Sequence, residues 1–229
     1  MSFYIILVGP EKAENVGLVA RNMKNTGFKN LRIAKRNSFN EKSYITAVHS
    51  KEVLDNALFY PDVKSAVEDL DIVFATTSKW RKNFYVLNMK EALQKMFDFT
   101  DFTRIGILFG NERTGLTSNE LMNSNFVFKI PQAVDQPSYN LSSAVLISLY
   151  SIFDYKEAYD YSGIQDRPVS RKEQEKCIQL ILKKLEKKGF IHENNKIHIT
   201  EMIYHLLGRL AMTSKDKDLL LAMFSKGLN

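Results

Sequence analysis

Leu108-Phe-Gly-Asn-Glu-Arg-Thr-Gly-Leu-Thr-Ser-Asn-Glu-Leu121 begins as an apolar run, breaks at Gly110 and restarts as a helix behind Thr117. Ile130-Pro-Gln-Ala-Val-Asp-Gln-Pro-Ser-Tyr-Asn-Leu-Ser-Ser-Ala144 repeats the pattern soon after. In an α/β protein, strand-to-helix turns of this kind lie at the carboxyl ends of the strands, where ligands bind. Two of them so close together, carrying Glu112, Arg113, Ser138 and Asn140, read as a working site and not as a pair of connectors.

Five β-rich runs surround these turns: Tyr4–Val8, Leu31–Ala34, Ile72–Ala75, Ile105–Phe109 and Phe126–Ile130. Helical spacing predicts helices over Glu14–Thr26, Lys51–Leu58, Val63–Asp69 and Met89–Met96. Thr117-x-x-Glu120 is a capping box. A longer helix follows Asn140, with Val145, Leu149, Ile152 and Phe153 at helical intervals. The alternation predicts an α/β fold with a parallel sheet covered by helices on both faces. This domain spans residues 1–158. Residues 159–168, polar and bearing Gly163 and Pro168, read as a linker, and 169–229 as a small helical module. The module opens with a second capping box, Ser170-x-x-Glu173. An apolar stripe of Cys177, Ile181, Leu182 and Leu185 follows, with a stop at Gly189. Two further helices are expected, Glu201–Met212 and Lys215–Lys226, the second behind Ser214 as N-cap.

The chain has 229 residues and a net charge of +6. Residues 160–229 hold 13 Lys and Arg against 9 Asp and Glu, so most of the excess sits in the tail. A basic appendage suits a polyanion such as RNA, although a solvated helix surface would carry the same charge. No apolar run approaches the roughly 18 residues that span a bilayer. Met1-Ser-Phe-Tyr-Ile-Ile-Leu-Val-Gly9 reads as a first strand and not as a signal peptide, so a cytoplasmic protein is expected. The single cysteine, Cys177, leaves no internal disulfide. Four scattered histidines, His49, His192, His198 and His205, have no metal-ligand spacing, and no metal site is expected. Gly9 and Gly17 lie too far apart for a dinucleotide fingerprint.

Asn15-Val-Gly-Leu-Val-Ala-Arg-Asn22 follows the first strand, and the pattern Asn-x-Gly-x-x-x-Arg-Asn-x-x-x-x-Gly runs unbroken from Asn15 to Gly27. With the segments Phe109–Leu116 and Ile130–Ala144 it resembles the three ordered motifs of the SpoU (TrmH-like) branch of the SPOUT methyltransferases. Ala75-Thr-Thr-Ser-Lys-Trp-Arg81 and the basic tail are similar to one subgroup, the TrmJ type, which methylates the nucleotide at position 32 of the tRNA anticodon loop. The resemblance implies methyl transfer from S-adenosylmethionine to a ribose 2′-hydroxyl, leaving S-adenosylhomocysteine and needing no metal. It also implies a homodimer, and a deep trefoil knot at the end of the catalytic domain that no periodicity could reveal.

By the same resemblance, the cofactor would be bound by Thr76, Thr77, Ser78, Leu108, Gly110, Ile130, Ser138, Tyr139 and Leu141. Gly110 would let the ligand approach bare backbone. The catalytic group would comprise Arg21, Ser138, Asn140 and Glu112. Asn140 would hold Arg21 or the ribose, and Glu112 would orient motif residues or backbone amides without titrating. Arg21 is assigned to the catalytic step, yet a guanidinium stays protonated, so the route of the hydroxyl proton is open. RNA contacts are expected from Asn15, Arg21, Lys79, Arg81, Lys82, Lys183 and Lys184, with Lys29, Arg32, Lys35, Arg36, Lys187 and Lys188 adding positive field. Trp80 could stack on a base or pack beneath its loop. Two positions depart from the usual motifs, Asn111 before Glu112 and Tyr139 before Asn140. Asn111 weakens any case for a basic RNA contact there. Other readings keep the chemistry but change the target to ribosomal RNA or another tRNA position, or make the chain a non-catalytic RNA-binding paralogue.

Overall fold

The structure is a computed structural model that describes residues 1–35, 40–79, 81, 84–99, 103–133, 138–158 and 168–226. In chain order the body comprises β1 (Ser2–Val8), α1 (Ala13–Asn25), β2 (Asn30–Ala34), α2 (Glu41–Ala47), α3 (Lys51–Asp55), β3 (Leu58–Tyr60) and α4 (Val63–Val67). It continues through β4 (Ile72–Thr77), β5 (Val86–Leu87), α5 (Met89–Phe97), β6 (Arg104–Phe109), α6 (Ser118–Leu121), β7 (Phe126–Lys129) and α7 (Leu141–Ala158). The strands form one parallel sheet in the order β3-β2-β1-β6-β4-β7-β5.

The two-residue period of a strand sends successive side chains to opposite faces. Ile5, Leu7, Ile72, Phe74, Ile105, Ile107 and Phe109 pack with α1, α2, α3, α5 and α7. Ile6, Val8, Val73, Ala75 and Leu108 pack on the other face with α4 and α6. Burial on both faces is why these strands read as nearly unbroken apolar runs.

Two strands and one helix depart from the expectation. β3 and β5 lie at opposite edges of the sheet and have three and two residues. Neither is long enough to show alternation, and Leu58, assigned above to a helix, instead opens β3. Helix α2 was not anticipated because it buries only Ser43 and Ala47. It lies so close to α1 that a Cβ at Gly17 would overlap the Ser43 carbonyl and the Thr46 hydroxyl. Small polar residues make that contact, so no apolar stripe marks the helix.

The tail folds as α8 (Arg171–Lys187), α9 (Lys196–Gly208) and α10 (Ser214–Lys226) around Val169, Cys177, Ile178, Ile181, Leu207 and Met212. Helix α9 starts earlier than Glu201. The cap of α10 is Thr213 and not Ser214: Asp216 N donates to Thr213 Oγ1, and Thr213 N donates to Asp216 Oδ2 at 2.9 Å. Of the expected linker, residues 159–167 lie outside the described residues.

Buried polar groups tie this tail to the amino ends of the strands. Asn125 Oδ1 accepts from Val73 N at 2.9 Å, while its amide donates to Gln174 Oε1 and to the Leu210 carbonyl. Gln174 Nε2 donates to the Leu207 carbonyl at 2.7 Å, and Arg171 Nη1 donates to Gln174 Oε1 at 2.6 Å. Arg171 N donates to the Leu70 carbonyl. Burial pushes the Arg171 guanidinium down to about 10, against the raising fields of Glu175 and Tyr204. Asn125→Ala leaves the buried Val73 N–H without its side-chain acceptor, and is expected to cost about 1–3 kcal/mol, read from the urea unfolding midpoint. An unchanged midpoint would show that the junction carries no load.

Candidate active site

The turns that follow β4, β6 and β7 converge at the carboxyl edge of the sheet and enclose a cleft. Its walls are Thr76–Lys79 and Arg81 after β4, Phe109–Leu116 after β6, and Ile130, Gln132, Ser138, Tyr139, Leu141 and Ala144 after β7. Apolar side chains and polar turns thus share one concave surface, the usual build of a small-ligand site.

The β6 turn is folded back on itself. Asn111 and Gly115 form an isolated bridge, and Gly115 takes φ +66°, a left-handed conformation that suits glycine. A Cβ at Gly110 would strike the Gly115–Leu116 backbone. The turn's own closure therefore requires glycine at 110, which also lines the cleft. Asn111 organises this turn: its Oδ1 accepts from Arg113 N at 2.9 Å and Thr114 N at 3.2 Å, and its Nδ2 donates to the Gly9 carbonyl at 2.7 Å.

Glu112 then reaches the start of α1. Its carboxylate accepts from Glu11 N at 2.8 Å, Lys12 N at 3.2 Å and Asn15 Nδ2 at 2.8 Å. Lys12, at the N-cap of α1, offers no side-chain cap, so a carboxylate from another segment takes that place. Negative charge there also suits the helix dipole. Burial raises the Glu112 pKa, but the hydrogen bonds from Asn15 and the backbone outweigh it and leave the group below its ordinary 4.5.

The third turn is joined to the first helix. Asn140 Oδ1 accepts from Ser142 N and Oγ at 2.9 and 2.8 Å and caps α7, while Asn22 Nδ2 donates to the Ser142 carbonyl at 2.9 Å. The Tyr139 hydroxyl donates to the Pro131 carbonyl at 3.0 Å. On the β4 side, Thr76 Oγ1 donates to the Leu108 carbonyl and Arg81 Nη2 to the Leu116 carbonyl at 2.8 Å.

Eight of the nine residues expected at the cofactor line this cleft; Leu108 does not. Its side chain points to the α4–α6 face, and Phe109 takes its place on the wall. Among the expected catalytic residues, Glu112 and Ser138 line the cleft. Asn140 stands beside it as a helix cap and does not hold Arg21. Arg21 is exposed on α1, away from the lining, with no hydrogen bond or ion pair to the described residues.

Several expected RNA contacts are occupied elsewhere. Asn15 is 4% exposed and donates to Glu112, so it belongs to the scaffold. Arg32 is 3% exposed, paired through both nitrogens with Asp69 and held over the Tyr4 ring. Lys35 pairs with Glu120 at 2.6 Å, and Lys184 donates to the Phe224 carbonyl. Lys79 and Lys183 are exposed. Arg36, Trp80 and Lys82 lie outside the described residues.

Sequence reasoning missed Asn111, Thr114 and Leu116 as builders of the site. An Asn ahead of a Gly-closed turn is the signal that could have revealed the first, because its side chain mimics a backbone turn. The Glu112 clamp also predicts a pH effect. A lowered carboxylate pKa adds stability above the unfolded value near 4.5, and that gain is lost as pH falls through the folded value. Glu112→Gln is expected to flatten this acid limb of the unfolding midpoint. An acid limb identical to wild type would remove the clamp from the stability of α1.

Residues 2–150 match the model of the SpoU rRNA Methylase family. A tRNA (cytidine-2′-O-)-methyltransferase TrmJ of Methanocaldococcus jannaschii is 33% identical over 225 residues, covering 96% of this chain and 97% of that one. The crystal structure of TrmJ from Z. mobilis ZM4 superposes with a TM-score of 0.84 at 27% identity over the full length of both chains. AviRb of Streptomyces viridochromogenes, a SpoU methyltransferase solved in complex with AdoMet, shares the fold at 18% identity, with a TM-score of 0.52 over 69% of this chain and 62% of its own. Two of the three motifs gathered at one cleft, and a family match across most of the chain, lead to one conclusion: this chain belongs to the SpoU methylase family and is a methyltransferase.

Proposed function

We propose that the protein is an S-adenosylmethionine-dependent tRNA 2′-O-ribose methyltransferase acting on the nucleotide at position 32 of the anticodon loop. The observation that carries the tRNA reading is the full-length likeness to the M. jannaschii enzyme, whose name specifies that substrate. The three-turn cleft supports the cofactor. Phe109, Leu116, Ile130 and Leu141 offer apolar walls for an adenine ring, and the Ser78, Gly110 and Ser138–Tyr139 segments offer hydroxyl and backbone groups for ribose and amino acid. When bound, the cofactor supplies an electrophilic methyl carbon on a sulfonium.

The residues of this chain contribute position. Glu112 holds α1, and with it Arg21, in fixed relation to the β6 turn. Arg21 stays cationic and is free of protein partners among the described residues, so it serves to bind an RNA phosphate and orient the 2′-hydroxyl. Alignment of this kind can lower a barrier by up to about 7–11 kcal/mol.

Leu146, Tyr150 and Phe153 form an exposed apolar stripe along α7. We assign this stripe to a homodimer interface close to the cleft, which would bring Arg21 and a neighbouring pocket together. Within each subunit, residues 1–158 form the catalytic domain with the C-terminal trefoil knot, and 169–229 an RNA-binding extension with Lys183 exposed. Among the described residues no helix is long and apolar enough to cross a membrane, and a cytoplasmic enzyme fits a tRNA substrate. The family model is described by ribosomal RNA, so rRNA is the second reading.

Purified protein incubated with S-adenosylmethionine and unmodified total tRNA should yield a 2′-O-methylated pyrimidine that maps to the anticodon loop by nucleoside mass spectrometry. Methylation of ribosomal RNA and not tRNA would move the target to the second reading. Arg21→Ala is expected to retain cofactor binding and lose about a hundredfold or more in turnover; undiminished turnover would refute its role.

A further inference from the structure

The cleft and the tail stand at opposite ends of the strands. The turns after β4, β6 and β7 leave the carboxyl ends, whereas Asn125 and Arg171 bind the tail at the amino ends, next to Val73 and Leu70. Strands of four to six residues at ~3.3 Å per residue put about 13–20 Å between the two. Between β4 and β5, Thr76–Lys79 and Arg81 stand in the cleft wall, while Phe84 and Tyr85 meet α9.

Tyr85 N donates to His205 Nε2 of α9 at 2.7 Å. The Phe84 ring meets the His205 imidazole edge-to-face, with centroids 5.8 Å apart. Phe84 N donates to the Arg81 carbonyl at 3.0 Å. Arg81 in turn donates through Nη2 to the Leu116 carbonyl, on the opposite wall of the cleft. Four residues thus carry an unbroken chain of contacts from the tail to both walls of the candidate cofactor site.

We propose that His205 is a positioning residue for cofactor binding: as a neutral acceptor it anchors Tyr85, and through Phe84 and Arg81 it sets the spacing of the cleft walls. The tail then has a second task beside the contact with RNA proposed above. This inference rests on the cleft being the cofactor site. It does not rest on which RNA is methylated.

Accepting from Tyr85 N requires an unprotonated Nε2, so the proton of the neutral ring sits on Nδ1. The surroundings keep the ring neutral. Burial lowers the His205 pKa below its ordinary 6.5, and the Arg209 charge lowers it further. The cavity around it also presents Lys95 of α5, Tyr204 of α9 and Tyr85 of the connection itself; Glu201 stands one turn away on α9. The anchor is therefore present at neutral pH and lost as pH falls through the depressed value.

The test measures binding of S-adenosylmethionine by the full-length protein without RNA, using calorimetry from neutral to mildly acidic pH. His205→Phe keeps a ring but no acceptor, and should weaken the cofactor about three- to tenfold at neutral pH, with turnover at saturating cofactor nearly unchanged. His205→Gln restores an acceptor that does not titrate, and should recover neutral-pH affinity while abolishing the acid-side weakening seen in wild type. The inference is overturned if His205→Phe binds as wild type does, or if His205→Gln is as weak as His205→Phe. Should His205→Phe fail to fold, a wild-type affinity that is flat across the acid range overturns it instead. Wild-type protein that binds no cofactor at any pH would sink the reading of the cleft itself, a result distinct from the others.

Discussion

The carboxylate of Glu112 is the interaction on which the site depends. It arises in the turn after β6, yet its acceptor capacity is spent on Glu11 N, Lys12 N and Asn15 at the head of α1. One ionised side chain therefore caps a helix that has no cap of its own and joins two segments about a hundred residues apart. Asn22, two turns further along α1, extends the tie to Ser142 at the start of α7. The first helix is thus gripped at both ends by the turns that line the cleft, and its exposed Arg21 is held in place by groups that never touch it. Charge-assisted bonds to backbone amides are among the stronger hydrogen bonds in proteins, which suits a scaffold that must not drift.

The parallel sheet supplies the second constraint. Because every strand runs the same way, all the strand-to-helix turns open at one edge, and β6 and β4 at the centre bring theirs side by side with that of β7. The other edge is left for the tail. There the buried Asn125, Gln174 and Arg171 satisfy one another and the ends of the strands. A polar junction of this kind fixes an orientation more sharply than an apolar one, since any other arrangement leaves donors without acceptors. The tail is consequently a fixed part of the molecule, and Phe84 and Tyr85 meet it at His205.

Much of this was legible in the chain, for identifiable reasons. The central strands announce themselves because Ile5–Val8, Ile72–Ala75 and Ile105–Phe109 are buried on both faces. The capping boxes at Thr117–Glu120 and Ser170–Glu173 are local, and both form as read. Edge strands β3 and β5 were not legible, because two or three residues hold no period. Nor was α2, which is buried through Ser43 against Gly17 and not through an apolar stripe. The residues of the cleft were found through their motifs, but the motif could not say which way each side chain faces. Leu108 and Phe109 are adjacent, equally apolar and both buried, and only the pleat sends one toward α4 and α6 and the other to the opposite face, where it borders the cleft.

The sequence by itself determined the α/β alternation, the two motif-bearing turns at the cleft, the family and the basic tail. Each is written in local pattern: periodicity, caps, and polar residues at fixed spacing. Tertiary structure alone decided what the polar residues are for. Asn15 and Arg32 have the composition of RNA contacts and the location of scaffold. His205, an unremarkable histidine on a helix, meets a backbone amide that leads to the cleft. Such roles depend on partners tens to more than a hundred residues distant. A hydrogen bond is specified by the direction and distance of both its atoms, and the order of residues along a chain records neither.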